Sequence, residues 1–535
     1  MGRAIGIDLG TTNSCVAVVD SDGVPKVIPD VWGDRIHASV VYFPNEEQVI
    51  VGNEAKRHVI LSPERAVWSV KRILGRKSFS AEVKKAQAIC AYDIVEGPNH
   101  SVRIEIDGYH YSPEEISAFV LREMKRVASE FLGEDINDAV ITVPAYFNDN
   151  QRQATQDAGK IAGMNILRMI NEPTAAALAY GYGRNLRQRV AIYDLGGGTF
   201  DLSVLDIDGD IFEVLGTAGD SYLGGDDFDL RLLSHLADRF FNEYGINIRS
   251  NKASLQKLRE ACEEAKKLFS SHEEVLISIP DIFEDDMGQM KLEYLITREE
   301  FHSLVMDLVQ RSFKVCDEAL YTARCTIKDL DGVILVGGPT RLPIVQEAVG
   351  YYFGRTPDTS LNPDDVVALG ASIHAAGLSD SFGYGEGNDM TLQGAHLLDV
   401  TPLSLQIATV GGYTEVIIER NTPIPIERSR IFTTVRDGQD RVHVRVLQGE
   451  SNREDENELL GEFIFAGFRM ANRGEVQIEV TFNIDASGMV HVRAKDIESQ
   501  QEQRITINLS SSLDEDDLQH LIERTEGMVL AEEGY

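Results

Sequence analysis

The sequence contains two copies of one short pattern, and this internal duplication restricts the possible fold more than any other feature. Residues 5–20 read IGIDLGTTNSCVAVVD, and residues 191–206 read AIYDLGGGTFDLSVLD. Each copy predicts a strand, a turn that begins with Asp-Leu-Gly, and a second strand. Glycine in such a turn lets backbone N–H groups approach an anion, and threonine hydroxyls add donors. Two hairpins that face each other would clamp a polyphosphate; the alternative is a pair of ordinary hairpins.

Net charge restricts the binding partners. The chain has 51 Lys and Arg against 86 Asp and Glu, which gives a net charge of −35. This balance argues against nucleic acid and anionic membranes, so any phosphate must be held by local geometry. No run approaches the ~18 apolar residues of a membrane helix, and the N-terminus lacks an apolar signal segment. Five cysteines without a CxxC motif suit a reducing compartment. We therefore expect a cytoplasmic protein without nucleic-acid or membrane partners.

The pattern of apolar residues divides the chain into four parts. Residues 1–378 mix strand and helix periods and predict an α/β domain, and residues 379–399 are polar and glycine-rich and predict a linker. Residues 400–510 alternate in short runs and predict an all-β sandwich, while 511–535 begin a helix that reaches about Arg524. Within the first part we predict a strand at 139–146 and helices at 113–131, 149–163, 226–243, 254–271, 297–323 and 340–353.

Acidic and basic residues near the two turns suggest phosphate chemistry. Asp8 and Asp194 end their strands inside the proposed clamp, where they would repel phosphate unless a hard cation intervened, so we expect Mg²⁺ held mainly through water. Lys71 is a compact cation of the kind that steadies a terminal phosphate, although a solvated basic face is an alternative. Glu172 precedes Pro173, which biases it toward a strand end or loop; a helix-capping carboxylate is the alternative.

Further along the chain, glycine pairs and one helix could contact a nucleoside. Leu223-Gly-Gly225 and Val336-Gly-Gly338 follow apolar runs and permit close backbone approach, although many such pairs are only turns. The predicted helix 254–271 places Glu263, Lys266 and Ser270 on one face, which could hold ribose and base. An ordinary solvated Glu–Lys pair is the alternative reading of that face.

Several motifs resemble the seventy-kilodalton heat-shock chaperone family, a branch of the actin-like ATPases, from residue 2 to about 525. The motifs are Gly6-Ile-Asp-Leu-Gly-Thr-Thr-Asn-Ser14, Val143-Pro-Ala-Tyr-Phe147, Asn171-Glu-Pro-Thr-Ala-Ala-Ala177, Asp194-Leu-Gly-Gly-Gly-Thr-Phe-Asp201, Leu223-Gly-Gly-Asp-Asp-Phe228 and Leu335-Val-Gly-Gly338. The resemblance implies an α/β actin-like ATPase fold of two duplicated ribonuclease-H-like lobes, then a peptide-binding β-sandwich and a short C-terminal helix.

The resemblance also implies roles for individual residues. The implied catalytic residues are Lys71, Glu172, Asp194, Thr199, Asp8 and Asp201, with Mg²⁺ at Asp8 and Asp194. The implied nucleotide-binding residues are Gly10, Thr11, Thr12, Asn13, Gly196, Gly197, Gly198, Gly224, Gly225, Glu263, Lys266, Ser270, Gly337, Gly338, Arg341 and Asp364. The implied peptide-binding residues are Ile407, Val410, Phe432, Val435, Val442, Val444 and Ile478, for which membership of a sandwich core is the alternative.

Some residues depart from the family pattern. Pro339 stands where related chains have a small polar residue, and Val435 is bulkier than the alanine expected there. Only Leu397-Leu398-Asp399 remains of the short apolar linker, after a glycine-rich insertion, and the helical lid extends no further than its first helix. Without a lid, bound peptide should dissociate faster.

The function that these observations predict is an ATP-dependent chaperone that hydrolyses ATP and binds extended apolar segments of unfolded proteins. Its implied cofactors are ATP or ADP, Mg²⁺ and, as a weaker expectation, K⁺; its implied partners are a J-domain co-chaperone and a nucleotide-exchange factor. Two alternatives come from other classes: a nucleotide-binding scaffold with weak or uncoupled hydrolysis, and a small-molecule kinase on the same superfold.

Overall fold

The computed structural model describes residues 3–285, 288–379, 395–506 and 515–531, and it is a mixed α/β structure. In these residues the helices are α1 Asn53–Leu61, α2 Ala81–Ile89, α3 Pro113–Leu132, α4 Asp149–Ile161, α5 Glu172–Gly181, α6 Gly225–Tyr244, α7 Lys252–Leu268, α8 Arg298–Thr322, α9 Pro343–Phe353, α10 Val366–Leu378 and α11 Glu515–Gly527. None of them is long and apolar enough to cross a membrane.

Helix ends follow local capping chemistry. At the start of α3, Ser112 and Glu115 each accept a hydrogen bond from the other's backbone, and Gly133 ends the helix in the left-handed region. Two predicted helices extend three residues too far at one end. The predicted helix 254–271 ends at Leu268, and the predicted helix 340–353 begins at Pro343, after a short 3₁₀ turn at Gly338–Arg341.

Two six-stranded sheets repeat the same local order, which extends the sequence duplication into three dimensions. In the first sheet, Ala4–Leu9 pairs antiparallel with Asn13–Val19 and parallel with Asp138–Val143. In the second, Arg187–Leu195 pairs antiparallel with Phe200–Asp208 and parallel with Gly332–Val336. The remaining strands are Asn165–Asn171, Pro25–Val27 and His37–Ala38 in the first sheet, and Ile211–Asp220, His396–Val400 and Pro423–Ile424 in the second.

Helix α10 lies between the two sheets and packs closely on both the first sheet and α5. A Cβ at Gly6 would overlap the backbone of Ser372, and a Cβ at Gly370 would overlap the carbonyl oxygen of Ala175. Close approach therefore requires glycine at both positions. Since α5 begins at Glu172, this contact helps to set where that carboxylate lies.

Smaller sheets border this central part. One contains Asp93–Glu96, Val102–Ile106 and Tyr109–Tyr111, and a hairpin is formed by Glu274–Asp285 and Gly288–Thr297. A further sheet contains Val40–Tyr42, Gln48–Val51 and Ala66–Trp68, to which the late strand Val529–Leu530 adds in parallel.

The C-terminal β-region, residues 405–506, consists of two antiparallel four-stranded sheets that share one apolar core. The first contains Leu405–Ala408, Thr414–Ile418, Arg441–Gln448 and Glu458–Ala466. The second contains Ile426–Thr433, Gln477–Ile484, Val490–Asp496 and Glu502–Thr506. These strands lie within the part of the chain, 400–510, in which the sequence alternates in short runs.

The end of the predicted linker, 379–399, forms a strand. Residues 380–394 lie outside the described residues, but Leu397-Leu398-Asp399 belongs to the strand His396–Val400. This strand pairs in parallel with Ile211–Asp220 and thereby extends the second sheet. Leu397 and Val400 of this strand pack against the same core as α5 and α10, whereas Leu398 is exposed.

Helix α11 and the residues after it pack on the first part of the chain. Leu521 and Met528 join the apolar core around α3. Arg524 forms an ion pair with the buried Glu115, and Arg122 donates to the backbone carbonyl of Met528. The predicted lid helix therefore extends to Gly527, beyond Arg524, and lies against α3 and α4.

Candidate functional site

A cavity of about 520 Å³ lies between the first and second sheets. It is bordered by the two duplicated turns, by α7 and by the Gly337–Gly338 turn. The predicted site residues that line it are Asp8, Gly10, Thr11, Thr12, Asn13, Lys71, Glu172, Asp194, Gly196, Gly197, Thr199, Glu263, Lys266, Ser270, Gly337, Gly338, Arg341 and Asp364. The structure thus brings together residues that are more than 350 positions apart in the sequence.

The two duplicated turns face each other closely. A Cβ at Gly197 would overlap the hydroxyl oxygen of Thr12, and a Cβ at Gly198 would lie 2.7 Å from Cγ2 of Thr11. Only glycine permits this separation, which leaves backbone N–H groups and threonine hydroxyls near one space. The arrangement suits a phosphate chain held from two sides.

Lys71 forms a buried ion pair with Glu172 beside these turns. Its Nζ lies 2.7 Å from Oε1 of Glu172 and donates to the carbonyl oxygen of Leu9 at 2.6 Å. The alternative of a solvated basic face is wrong for Lys71, because its side chain is buried. Glu172 follows the strand Asn165–Asn171 directly, as the proline predicted, but it is also the first residue of α5. It accepts from Lys71, and no side-chain cap is formed at this helix start.

Three aspartates cluster next to this pair. Thr142 donates to Asp8 at 3.1 Å, and the backbone N–H of Tyr146 donates to Asp201 at 3.1 Å. Burial, reinforced by the charge of Glu172, raises the pKa of Asp8 to about 7 and that of Asp201 to about 8. The same two causes raise the pKa of Asp194.

The carboxylates fit a divalent cation. Asp194 Oδ2 is buried and has no hydrogen-bond partner among the described residues, so an acceptor is left without a donor. Carboxylate oxygens are the ligands that Mg²⁺ prefers, and Mg²⁺ usually keeps several waters. In the described residues no three His, Cys, Asp or Glu side chains converge as a metal cluster. Asp8 and Asp194 therefore suit a cation held largely through water and phosphate oxygens.

The residues predicted to contact the nucleoside are paired with unexpected partners. Glu263 contacts Lys56 at 2.8 Å and Lys267 at 2.9 Å, whereas Lys266 contacts Asp229 at 2.7 Å. Although burial acts to raise the pKa of Glu263, the charges of Lys56 and Lys267 lower it. The alternative interpretation of this helix face, an ordinary solvated pair of Glu263 and Lys266, is therefore wrong.

Other residues at this end of the cavity are arranged as follows. Ser270 lies in the turn after α7, not on the helix as predicted, yet it lines the cavity. Arg341 and Asp364 form an ion pair with each other at 2.6 Å. Pro339 lines the cavity too, and its ring lies 2.8 Å from where a Cβ of Gly225 would be.

Four predicted site residues support the cavity from behind. Asp201 lies behind Asp194 and does not line it. Gly198 packs on Thr11. The backbone N–H of Gly224 donates to the Asp227 carboxylate, and that of Gly225 donates to the carbonyl oxygen of Gly196.

The sequence reading missed the polar residues that join the two sides of the cavity. Ser69 and Arg72 contact Asp226 and Asp227 beside the cavity, and Lys56 contacts Glu263, which lines it. The one available signal was the acidic pair directly after the Gly224–Gly225 turn, which on sequence alone is explained by its place in the first turn of a helix.

The C-terminal β-region contacts the part of the chain that carries this site. The backbone N–H of Asp149 donates to Gln448 at 3.0 Å, and the N–H of Val490 donates to the Asp149 carboxylate at 3.0 Å. Asn171, which precedes Glu172, donates to Asp399 at 2.8 Å. The strand His396–Val400 and the β-region are thus connected to the residue next to the buried Lys71–Glu172 pair.

The seven predicted peptide-binding residues occupy different environments. Three of them are buried in the core between the two C-terminal sheets, which agrees with the alternative of a sandwich core: Ile407, Val444 and Ile478. Phe432 and Val442 are half-buried beside them. Val410 and Val435 lie in loops with 72% and 44% of their surface exposed. Their peptide-binding role stays a prediction.

A comparison with known families agrees with the site. The family model described as Hsp70 protein matches residues 4–534, which is nearly the whole 535-residue chain. Hsp70 proteins are in general chaperones with ATPase activity. The chain therefore belongs to the Hsp70 family.

Proposed function

We propose that this chain hydrolyses ATP and uses the reaction to change its affinity for extended apolar segments of unfolded proteins. In this proposal residues 1–378 are an actin-like ATPase of two lobes, the C-terminal β-region is the peptide-binding domain, and 511–535 begin a lid. The observation that carries the proposal is the meeting of the two duplicated turns around one cavity, with Lys71, Glu172 and two aspartates beside them.

The phosphates would bind between the duplicated turns. Backbone N–H groups of Gly10 and Gly196–Gly198, with the hydroxyls of Thr11, Thr12 and Thr199, would hold their oxygens. Such donors are already oriented by the turns, so little reorganisation is needed when negative charge develops on the transferred group. When bound, Mg²⁺ would neutralise phosphate charge, held by Asp8 and Asp194 mainly through water.

Lys71 and the neighbouring carboxylates would position the attacking water. Phosphoryl transfer depends mainly on position and charge stabilisation. Lys71 lies within reach of the proposed terminal phosphate and is held by Glu172, while Asp201 accepts from the Tyr146 backbone behind Asp194.

Coupling to the β-region would pass through Asn171. This residue contacts Asp399 on one side and also accepts from Arg152 at 2.7 Å. Its neighbour Glu172 holds Lys71, so a shift of that lysine upon hydrolysis would be felt at the strand His396–Val400. The J-domain co-chaperone, the exchange factor and the apolar client remain proposals that derive from family membership.

Steady-state and single-turnover hydrolysis of ATP test the proposal. We expect Mg²⁺-dependent hydrolysis that an unfolded apolar peptide accelerates, and faster peptide release with ATP than with ADP. Nucleotide binding without hydrolysis would support the scaffold alternative. Phosphorylation of a small acceptor would support the kinase, and the absence of nucleotide binding would refute all three.

A further inference from the structure

We propose that Ser69, Arg72, Asp226 and Asp227 form a cross-cleft clasp that slows nucleotide release and positions Lys71. Ser69 and Arg72 flank Lys71 in the first part of the chain, while Asp226 and Asp227 begin α6 on the other side of the cavity. The inference rests on the proposed ATPase and concerns residues to which the motif comparison gave no role.

The clasp consists of short polar contacts in a dry environment. The Ser69 hydroxyl donates to Asp226 Oδ2 at 2.8 Å, and Arg72 donates to Asp227 Oδ2 at 2.7 Å. Arg72 Nε also lies 3.7 Å from Asp226. All four residues have small exposed fractions, and the Arg72 side chain is only 3% exposed.

The acidic end of the clasp is attached to the phosphate-binding turn. The backbone N–H of Asp226 donates to the carbonyl oxygen of Gly197 at 2.8 Å, and the hydroxyl of Thr12 donates to Asp226 at 3.3 Å. Arg72 also reaches the Gly197 carbonyl at 3.4 Å. Movement of α6 away from the first sheet would therefore disturb both duplicated turns together.

The basic end of the clasp carries Lys71. Residues Val70–Arg72 form one 3₁₀ turn, and the preceding Ser69 has φ 51° and ψ 29°, in the left-handed region. A serine keeps this unfavourable conformation only where its surroundings hold it, and here its hydroxyl is bound to Asp226. If the contact breaks, the turn can relax and Lys71 moves from its place beside Glu172.

The same contacts oppose opening of the cavity. A bound nucleotide can leave only when the two sides separate, and separation exposes a buried guanidinium and two carboxylates. The rim pair Lys56–Glu263 differs, because the Lys56 side chain is 23% exposed and water already screens it. The clasp thus links slow release of nucleotide to correct placement of the lysine.

The experiment compares the full chain with Ser69→Ala and Asp226→Asn, and with Asp208→Asn as the matched control. Asp208 forms an exposed ion pair with Arg187 on the second sheet, away from the cavity. Dissociation of a fluorescent ADP analogue and single-turnover hydrolysis of pre-bound ATP are measured, with thermal unfolding as a check of folding.

We expect Ser69→Ala and Asp226→Asn to release the ADP analogue roughly 10- to 150-fold faster, the range for one lost hydrogen bond to a charged group, and to hydrolyse ATP more slowly. Asp208→Asn should change neither rate. Asp226→Glu keeps the carboxylate charge that Asp226→Asn removes and should restore both rates toward those of the unaltered chain, which a general loss of folding stability would not do.

Unchanged release from folded Ser69→Ala and Asp226→Asn proteins would overturn the clasp. Faster release with unchanged hydrolysis would overturn the positioning of Lys71. Failure of the unaltered chain to bind the ADP analogue would instead refute the proposed function, since this binding needs no hydrolysis.

Discussion

Replacement of Lys71 by methionine should remove hydrolysis and also destabilise the protein. Lys71 Nζ is held by Glu172 at 2.7 Å and by the Leu9 carbonyl at 2.6 Å, and both lysine and glutamate side chains are buried. Removal of one member of a buried pair leaves the other uncompensated, which typically costs about 3–5 kcal/mol. Loss of one positioned group that stabilises transition-state charge lowers the rate about 10²- to 10³-fold.

A second substitution separates the two effects. Lys71→Met with Glu172→Gln removes the uncompensated charge, so we expect thermal stability to recover in part while hydrolysis stays low. Lys71 also lowers the pKa of Asp8, and its loss should raise that pKa further above about 7. Protons then compete with Mg²⁺ for the Asp8 carboxylate, so the variant should need a higher pH to bind Mg²⁺.

Single-turnover hydrolysis, thermal unfolding and Mg²⁺-dependent ADP binding at pH 6, 7 and 8 measure these effects. Lys291→Met is the control, because Lys291 is half exposed on the hairpin Glu274–Asp285 and Gly288–Thr297. Hydrolysis by Lys71→Met at the unaltered rate would refute the assigned role. Equal stability of the single and double variants would refute the argument from buried charge.

Three further predictions concern the parts that surround the site. Burial raises the pKa of Asp149 from 3.8 to about 7, so the contact between α4 and the β-region favours the protonated carboxyl and should weaken as the pH rises from about 4 to 7. Fluorescence energy transfer between α4 and the β-region measures this pH dependence, which Asp149→Asn should abolish. Gly370→Ala forces a Cβ into α5 and should cost at least about 3 kcal/mol in chemical unfolding, whereas Gly527→Ala, which has open space, should be neutral or slightly stabilising. Arg524→Ala leaves the buried Glu115 without its ion-pair partner and should increase hydrogen exchange throughout 515–531 without changing ATP hydrolysis. Unchanged hydrogen exchange would contradict the inference that this ion pair holds α11 against α3.

Local sequence patterns were sufficient for most elements of this fold. Capping residues such as Ser112 and the glycine at 133 mark helix ends through contacts within one turn, and alternation marks the strands of the β-region. The ends of α7 and α9 were misjudged because periodicity continues past Leu268 and starts before Pro343. The sequence did not predict the strand His396–Val400, because five residues beside a glycine-rich segment give little local signal. The strand that pairs with it, Ile211–Asp220, lies far away in the chain.

In the candidate site, too, the sequence predicted features that depend on neighbouring residues and not those that depend on distant ones. The duplication alone indicated that two glycine turns would meet around phosphate, because each copy carries its own anion-binding geometry. Lys71 could not be distinguished from a solvated lysine until burial and the Glu172 contact were known. Alternation specifies a side of a strand and not what covers it. Burial of Ile407, Val444 and Ile478 in the β-region core therefore became known only from the structure, and their peptide-binding role stays a prediction.

By itself, the sequence determined the family, the duplicated glycine turns and the alternation of helix and strand, because these depend on residues near one another in the chain. Only the tertiary structure decided which charges are buried together, that Ser69 and Arg72 reach Asp226 and Asp227, and that Asp399 lies against Asn171. Such contacts join residues some 150 to 230 positions apart, and their strength depends on the exclusion of water, which no local pattern records.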